Sequence, residues 1–306
     1  MHPLTHRYLF GGLAIDATVA LAGMRRAGTT GGPHPVLLAF HTSPAPRADR
    51  DVFTWAGRYG LKLGVLGDAW HLSSTFDGTV IVDRAITRID FHSAENPPTQ
   101  AAIDVLARRI LPRLAIASGA LTLHGAALSR PGGAILLFGQ SGAGKSTLTA
   151  ALALAGWHIA SDDLTMIRPT AAGPMVHPGA TGVCLWPDTR AALALDPARC
   201  VAMPGYDDKM RFEPEDAPGA DPAPLRALVF LDRSGDVAAP RLDRMSIREA
   251  VRDAARQLIA LDPTVPRTDT VALLLQTMAG VPTVKLTYPS GYATLPAVTD
   301  LLATLL

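Results

Sequence analysis

The stretch FGQSGAGKST, residues 138–147, narrows the choice of fold more than any other in this chain. Gly139 to Ser146 satisfies the spacing G-x-x-x-x-G-K-[ST] in full. Its flanks are those the motif requires, the apolar run AILLF before it and the helical pattern LTAALALAG after it. A buried strand that turns through glycines into a helix aims successive backbone N–H groups into one concavity, with the positive end of the helix dipole behind them. That arrangement cradles phosphate oxygens. Lys145 would reach the outer phosphates, and Ser146 would offer its hydroxyl to a divalent cation. A glycine turn that merely joins strand to helix would need neither residue.

Up to about residue 95, YLFGGLAI, PVLLAF, LKLGVL and GTVIVD are short apolar or alternating runs, punctuated by GTTGGPHP and TSPAPRADR. This reads as a β-rich region without a cluster of chemical groups. Ile103, Leu106, Ile110 and Leu114 then recur near helical spacing, Gly119 can cap the end, and Pro112 is expected to kink or split the helix. The expected division is a β-rich part over 1–95, a connecting helix over 96–120 and a larger part over 121–306. In the larger part LTLHGAAL reads as one strand, SRPGG as a turn, and WHIA as a strand ending at SDD. GVCLW and RALVFLD read as strands and EPEDAPGADPAP as a loop. SIREAVRDAARQLIA reads as a helix opened by Ser246 and Glu249 at capping-box spacing. TDTVALLLQTMAG, VPTVKLTY and LPAVTDLLATLL follow as helix, strand and helix. The fold class is α/β.

Composition excludes several classes. With 306 residues, 48% hydrophobic and 18% charged, the chain can bury a sizeable core. A net charge of +1 supplies no broad basic field for nucleic acid. Cys184 and Cys200 have no metal-motif spacing and read as reduced thiols. MHPLTHRYLF lacks a secretory signal's apolar run, and LAIDATVALAGM carries Asp16 and is too short to span a bilayer. A soluble, cytoplasmic protein without membrane or nucleic-acid partners is expected.

Two acidic positions separate kinds of nucleotide chemistry. Asp232, ending RALVFLD, stands where a hydrolytic phosphate-loop enzyme keeps its acid. Asp162 and Asp163 end the strand that follows the phosphate-loop helix. If that strand lay beside the loop's own, one carboxylate could accept a hydroxyl proton and the other help hold Mg²⁺. By spacing alone the pair reads equally as a solvated turn. His124, alone in an apolar strand, reads either as a core histidine or as part of a site.

Taken together, LHGAAL, LLFGQSGAGKST and HIASDDL resemble the catalytic domain of the HPr kinase/phosphorylase family. The resemblance covers about 121–290 and is strong over 121–164. It implies a P-loop kinase core of the type shared with phosphoenolpyruvate carboxykinase, preceded by a smaller β-rich domain. It implies that Gly139, Gln140, Ser141, Gly142, Ala143, Gly144, Lys145, Ser146 and Thr147 bind the phosphates of ATP, and that Ser146 and Asp162 hold Mg²⁺. Asp163 would be the general base, with His124 fixing the charge or orientation of the acidic pair. Family members form oligomers, so a homo-oligomer is expected.

The family's bifunctional members carry a glutamate in the segment after the aspartates, where this chain reads VHPGATGVCLWPD. That departure speaks against phosphorylase activity and against HPr as substrate. The LWPD segment is similar to HPr-kinase-related proteins found beside peptide-tailoring genes, some of which phosphorylate the C-terminal serine of lasso-peptide precursors. Asp188 of LWPD reads as a turn residue or as a substitute carboxylate. Lys209 and Arg211 of DDKMRF, expected on a loop, read as a phosphate clamp or as two solvated cations. The expected activity is ATP- and Mg²⁺-dependent transfer to a hydroxyl of a peptide or small protein. The alternatives are the bifunctional HPr enzyme, a small-molecule kinase on the same fold, and a nucleotide-binding scaffold without turnover.

Overall fold

Two large sheets and a small one organise the chain in a computed structural model that describes residues 6–27, 35–57, 59–203, 208–214 and 221–306. Most of GTTGGPHP and the centre of EPEDAPGADPAP lie outside the described residues. The first sheet is built from β1 (His6–Phe10), β2 (Leu13–Ala17), β3 (Val36–His41), β4 (Arg50–Thr54), β5 (Lys62–Leu66), β6 (Ala69–Ser73), β7 (Thr79–Val82) and β8 (Arg88–His92). Their order is β1-β2-β3-β8-β7-β6-β5-β4, with parallel pairing only at β2–β3 and β3–β8. Alternating residues such as Ile15, Leu38, Leu63, Leu72, Ile89 and Phe91 are buried, as the two-residue period of a strand dictates.

That buried face packs on the connecting helix. Thr99 caps α1 (Gln100–Val105) by accepting the Ala102 N–H. The chain continues through a π-helical turn, Leu106–Ile110, into α2 (Leu111–Ala117). The helix is divided beside Pro112, as the sequence predicts: α1 gives way to the π-helical turn, and Pro112 stands at the second position of α2 directly after it. The widened turn carries Arg108 and Arg109.

The second large sheet takes β9 (Leu121–His124), β10 (Ala126–Arg130), β11 (Gly133–Phe138), β12 (His158–Ser161), β13 (Leu164–Thr170) and β14 (Gly173–His177), with α3 (Lys145–Leu154) between β11 and β12. The small sheet is β15 (Val183–Leu185), β16 (Cys200–Ala202) and β17 (Met210–Phe212), in the order β15-β17-β16, with α4 (Pro187–Ala192) after β15. The chain returns to the large sheet with β18 (Ala223–Arg233) and β19 (Arg241–Arg244), passes through α5 (Ile247–Ala255) and α6 (Thr268–Met278), adds β20 (Thr283–Tyr288) and ends in α7 (Leu295–Ala303). The capping box of Ser246 and Glu249 opens α5 as the spacing predicts.

The order β12-β10-β11-β18-β14-β13-β9 is extended by β20, which pairs with β18, and by β19, which pairs with β20. β11, β18 and β20 run parallel. Both faces of β11 are buried: Ile135 and Leu137 face α3 and α7, while Ala134, Leu136 and Phe138 face α5 and α6. This is why AILLF is a continuous apolar run.

Three expectations are corrected here. LTLHGAAL is not one strand: the chain breaks at Gly125, so that β9 pairs with β13 while β10 pairs with β11 and β12. The strand that ends in SDD is not beside β11, because β10 lies between them. Asp188 is in the first turn of α4 rather than in a turn of its own.

Candidate active site

β12 and β11 are both antiparallel to β10, so they run in the same direction. Their carboxyl ends therefore meet at one edge of the sheet, which brings the glycine loop of 139–144 and the Asp162–Asp163 pair together across the intervening strand. At the loop, Gly144 has φ +91 and serves as the N-cap of α3, a conformation that side chains with a Cβ rarely adopt. Lys145 folds back over the loop and donates to the Gly139 carbonyl at 2.6 Å. The hydroxyl of Tyr288, at the end of β20, donates to the Ala143 carbonyl at 2.6 Å and braces the loop from below. Thr147 stands in the first turn of α3 with its hydroxyl 3.2 Å from that of Thr189.

Asp163 has φ +75, and the Leu164 N–H donates to the Asp162 carbonyl across it at 3.0 Å. An i to i+2 bond over a residue of positive φ is a strained γ-turn, which aspartate tolerates better than most residues. The Gly125 N–H donates to the Asp163 carbonyl at 2.9 Å and pins the turn to the break between β9 and β10. The register of β9 on β13 sets His124 opposite Leu164, and its Nε2 lies 2.9 Å from Oδ1 of Asp163. Oδ2 of Asp163 accepts from Nη1 of Arg109. Burial alone would push the Asp163 carboxyl up, but Arg109 and His124 outweigh it and hold the group well below the usual carboxylate range.

Asp162 is the more deeply buried of the two, with its side chain 6% exposed against 32% for Asp163. Its Oδ2 accepts the Cys184 N–H at 3.0 Å, and Nη1 of Arg108 lies 4.0 Å away. Burial raises this carboxyl, Arg108 opposes the rise and the Asp163 charge adds to it. Burial lowers the Lys145 ammonium, against the pull of Asp163 and Asp162. Burial pushes the Cys184 thiol up to about 11, so it stays protonated near neutral pH.

A cavity of about 140 Å³ collects these groups: Lys145, Ser146, Asp162 and Asp163 line it with Tyr59, Arg108, Arg109, Cys184 and Lys209. A larger cleft of about 650 Å³ runs along Gly139–Ala143 to Asp232, Lys285 and one side of α5. Asp232 is the penultimate residue of β18, the parallel neighbour of β11, and its Oδ2 is 2.7 Å from the Lys285 ammonium.

The two cations of DDKMRF part company. Lys209 lies with its ammonium 4.7 Å from the Trp186 ring centroid and lines the cavity. Arg211 is not on a loop: it is on β17, buried, and bonded to Asp104 at 2.9 Å and to Glu213 at 2.9 Å. A buried arginine paired on both sides is a structural tie, so a clamp made by both residues is corrected to Lys209 alone.

Arg108, Arg109, Tyr59 and Tyr288 have no counterpart in the sequence motifs. The sequence signal for the two arginines was their place in an otherwise apolar helical stripe, where charges stay only when paired. Nothing local marks Tyr59.

No protein-family model and no curated protein matches this chain. A solved structure of the HPr(Ser) kinase/phosphatase from Coxiella burnetii matches it with 13% identity and a TM-score of 0.31, over 60% of this chain and 88% of that one. Among the described residues no helix is long and apolar enough to cross a membrane.

Proposed function

We propose that this chain is an ATP- and Mg²⁺-dependent kinase that transfers the γ-phosphate to a hydroxyl of a peptide or small protein. The observation that carries the reading is the shared cavity: an ionised, doubly held carboxylate, Asp163, opens onto the same space as Lys145 and Ser146 at the head of α3.

The residues fit the two groups the reading requires. The glycine loop and the amino end of α3 offer N–H donors to phosphate. Ser146 and the two aspartates offer hard oxygens, and among the described residues no cluster of three or more His, Cys, Asp or Glu side chains could cage a metal. Magnesium is usually held by one or two carboxylates together with substrate phosphates and water. When bound, it would neutralise charge on the phosphate oxygens, with Ser146 and Asp162 as its protein ligands.

In the transfer, the acceptor oxygen forms a bond to the γ-phosphorus, the bond from phosphorus to the β–γ bridging oxygen breaks, and ADP leaves. The hydroxyl proton passes to Asp163. Phosphoryl transfer has a loose transition state that asks little of the nucleophile, so a weak base held in place is sufficient and positioning matters more. Lys145 stabilises charge on the departing phosphates. His124 fixes Oδ1 of Asp163, and Lys209 stands at the cavity where it can meet the transferred phosphate.

The most specific form of the proposal is a tailoring kinase for the C-terminal serine of a ribosomal, lasso-type precursor peptide, acting as a cytoplasmic homo-oligomer. A panel of peptides with terminal or internal serine, HPr, and small alcohols would be incubated with Mg-ATP and read by mass spectrometry. One phosphate confined to a peptide serine supports the reading. Phosphorylation of HPr that added inorganic phosphate reverses would make it the bifunctional enzyme, and modification of small alcohols alone a small-molecule kinase. A second reading rests on Asp232, which stands beside the glycine loop where a hydrolytic enzyme keeps its acid. Release of inorganic phosphate without any acceptor, dependent on Asp232, would favour it.

A further inference from the structure

Tyr59 links the first sheet to the acidic pair by way of Arg109. Tyr59 is anchored in that sheet's connections: its carbonyl accepts from the Thr75 N–H at 3.1 Å and from the Ser74 hydroxyl at 2.8 Å, and its ring meets Phe76 edge-on with centroids 6.0 Å apart. Arg109 leaves the π-helical turn with its guanidinium carbon 4.5 Å from the centre of the Tyr59 ring, and its Nη2 donates to the Tyr59 hydroxyl at 3.1 Å. Its Nη1 donates to Oδ2 of Asp163. One turn on, Arg113 donates to the Arg109 carbonyl at 2.6 Å and lies 4.7 Å over the Trp55 ring, so a second arginine–aromatic pair fixes the same stretch of helix.

We infer that Arg109, held by Tyr59 of the first sheet, is a positioning residue for Asp163, and that the first sheet is thereby part of the catalytic machinery. This rests on the kinase reading above. A carboxylate on a strained γ-turn has two oxygens to orient. His124 fixes Oδ1 from β9, and Arg109 fixes Oδ2 from the connecting helix. A planar guanidinium can stack on a ring and bond in its own plane at once, which a lysine ammonium cannot do. The π-helical turn carries Arg109, and such turns are frequent at functional sites. Arg109 is bonded to the carboxylate that would take the acceptor proton, so its loss should fall on turnover more than on nucleotide binding.

The test compares Arg109→Ala, Arg109→Lys, Tyr59→Phe and Tyr59→Ala in the full chain, with circular dichroism to confirm folding. Transfer from Mg-ATP to the acceptor found above is measured, with equilibrium binding of a fluorescent ATP analogue alongside. Arg109→Ala should lower kcat by roughly tenfold to a hundredfold, the range for losing one charge-assisted bond to a reacting group, while KM for ATP stays within about twofold. Arg109→Lys should recover part of the loss. Tyr59→Ala should lower kcat more than Tyr59→Phe, and combined with Arg109→Ala it should add nothing further, because the pair acts as a unit. Unchanged kcat in Arg109→Ala, a loss confined to ATP affinity, or full additivity of the double variant would each overturn the inference. If the wild type transfers phosphate to no acceptor, the kinase reading fails by itself. Urea unfolding of Arg109→Ala, Asp163→Asn and the double variant then decides this inference: non-additive midpoints uphold the tie, and additive midpoints refute it.

Discussion

Asp163 is constrained in three ways: its φ is positive, its two oxygens are held from different elements, and its carboxyl is kept ionised. Asn has nearly the same shape and tolerates the same left-handed backbone, so Asp163→Asn should fold normally while losing roughly a hundredfold or more of transfer, the scale of a positioned base. Asp232→Asn should stay within a few-fold of wild type, because Asp232 is half exposed and already neutralised by Lys285. Radiolabelled transfer assays on the two variants check this, and the opposite ranking would point to hydrolytic chemistry. At this scale the sequence was informative about which side chains come together where they are close in the chain: Lys145, Ser146, His124 and the two aspartates lie within about forty positions, and their spacing exposes them. Arg109 and Tyr59 escaped because Arg109 meets Asp163 across about fifty positions, Tyr59 meets Arg109 across another fifty, and no local pattern encodes either contact. Arg211 misled for the reverse reason, since a short charged string looks solvated until the buried Asp104 is known.

Among the elements, the legible ones were those with both a period and a cap. The helix α5 is the best case, with a capping box at its head and only Ala250 and Ala254 buried. An element that buries so little depends on its termini. Ser246→Ala removes the hydroxyl that accepts the Glu249 N–H, and the variant should lose about 1 kcal/mol of stability, read as a lowered urea midpoint with an unchanged slope. No change would mean that α5 is held by its neighbours and not by its cap. Two elements stayed hidden. The break at Gly125 interrupts an apolar run without interrupting its pattern, so pairing to different partners on its two sides could be known only from the assembled sheet. The π-helical turn before Pro112 was hidden as well, because the sequence marks the missing N–H but not whether the helix kinks, stops or widens to absorb it.

At the scale of the molecule, the first sheet is joined to the second by a seam of backbone and arginine contacts, not by a linker alone. The Gly11 N–H donates to the Pro178 carbonyl at 2.8 Å, Arg168 donates to the Gly11 carbonyl at 2.9 Å and to Ser118, and Met166 of β13 and Ala180 belong to the same core as the first sheet. His177, at the end of β14, lies against this seam, and burial first and Arg168 second lower its pKa from 6.5 to about 4. The folded protein therefore resists a proton that the unfolded chain accepts. The His177 contribution to stability is fully present above about pH 6.5 and is lost as pH falls toward 4. His177→Gln should flatten that part of the urea midpoint against pH, and an unaltered slope would show that other groups set it. The seam also makes a prediction about cooperativity. Gly11 has φ +58, and a Cβ there would lie 2.6 Å from Sδ of Met166 and 3.1 Å from Cβ of Ala115. The sulfur can move aside, but the left-handed backbone cannot be relieved without losing the bonds to Pro178 and Arg168. Gly11→Ala should then cost about 2 kcal/mol from backbone strain and overpacking together. Because Met166 of β13 lies in the first sheet's core and Arg168 of the same strand bonds Gly11, the loss should reach both sheets. Variants that keep only Trp70, in β6, or only Trp157, packed against the second sheet, report the two regions separately during urea unfolding. A common midpoint that falls equally for both tryptophans on Gly11→Ala is the expected result. Two separate transitions, with Trp157 unmoved, would mean that the sheets fold independently and that Tyr59 reaches Asp163 only through docking of finished units.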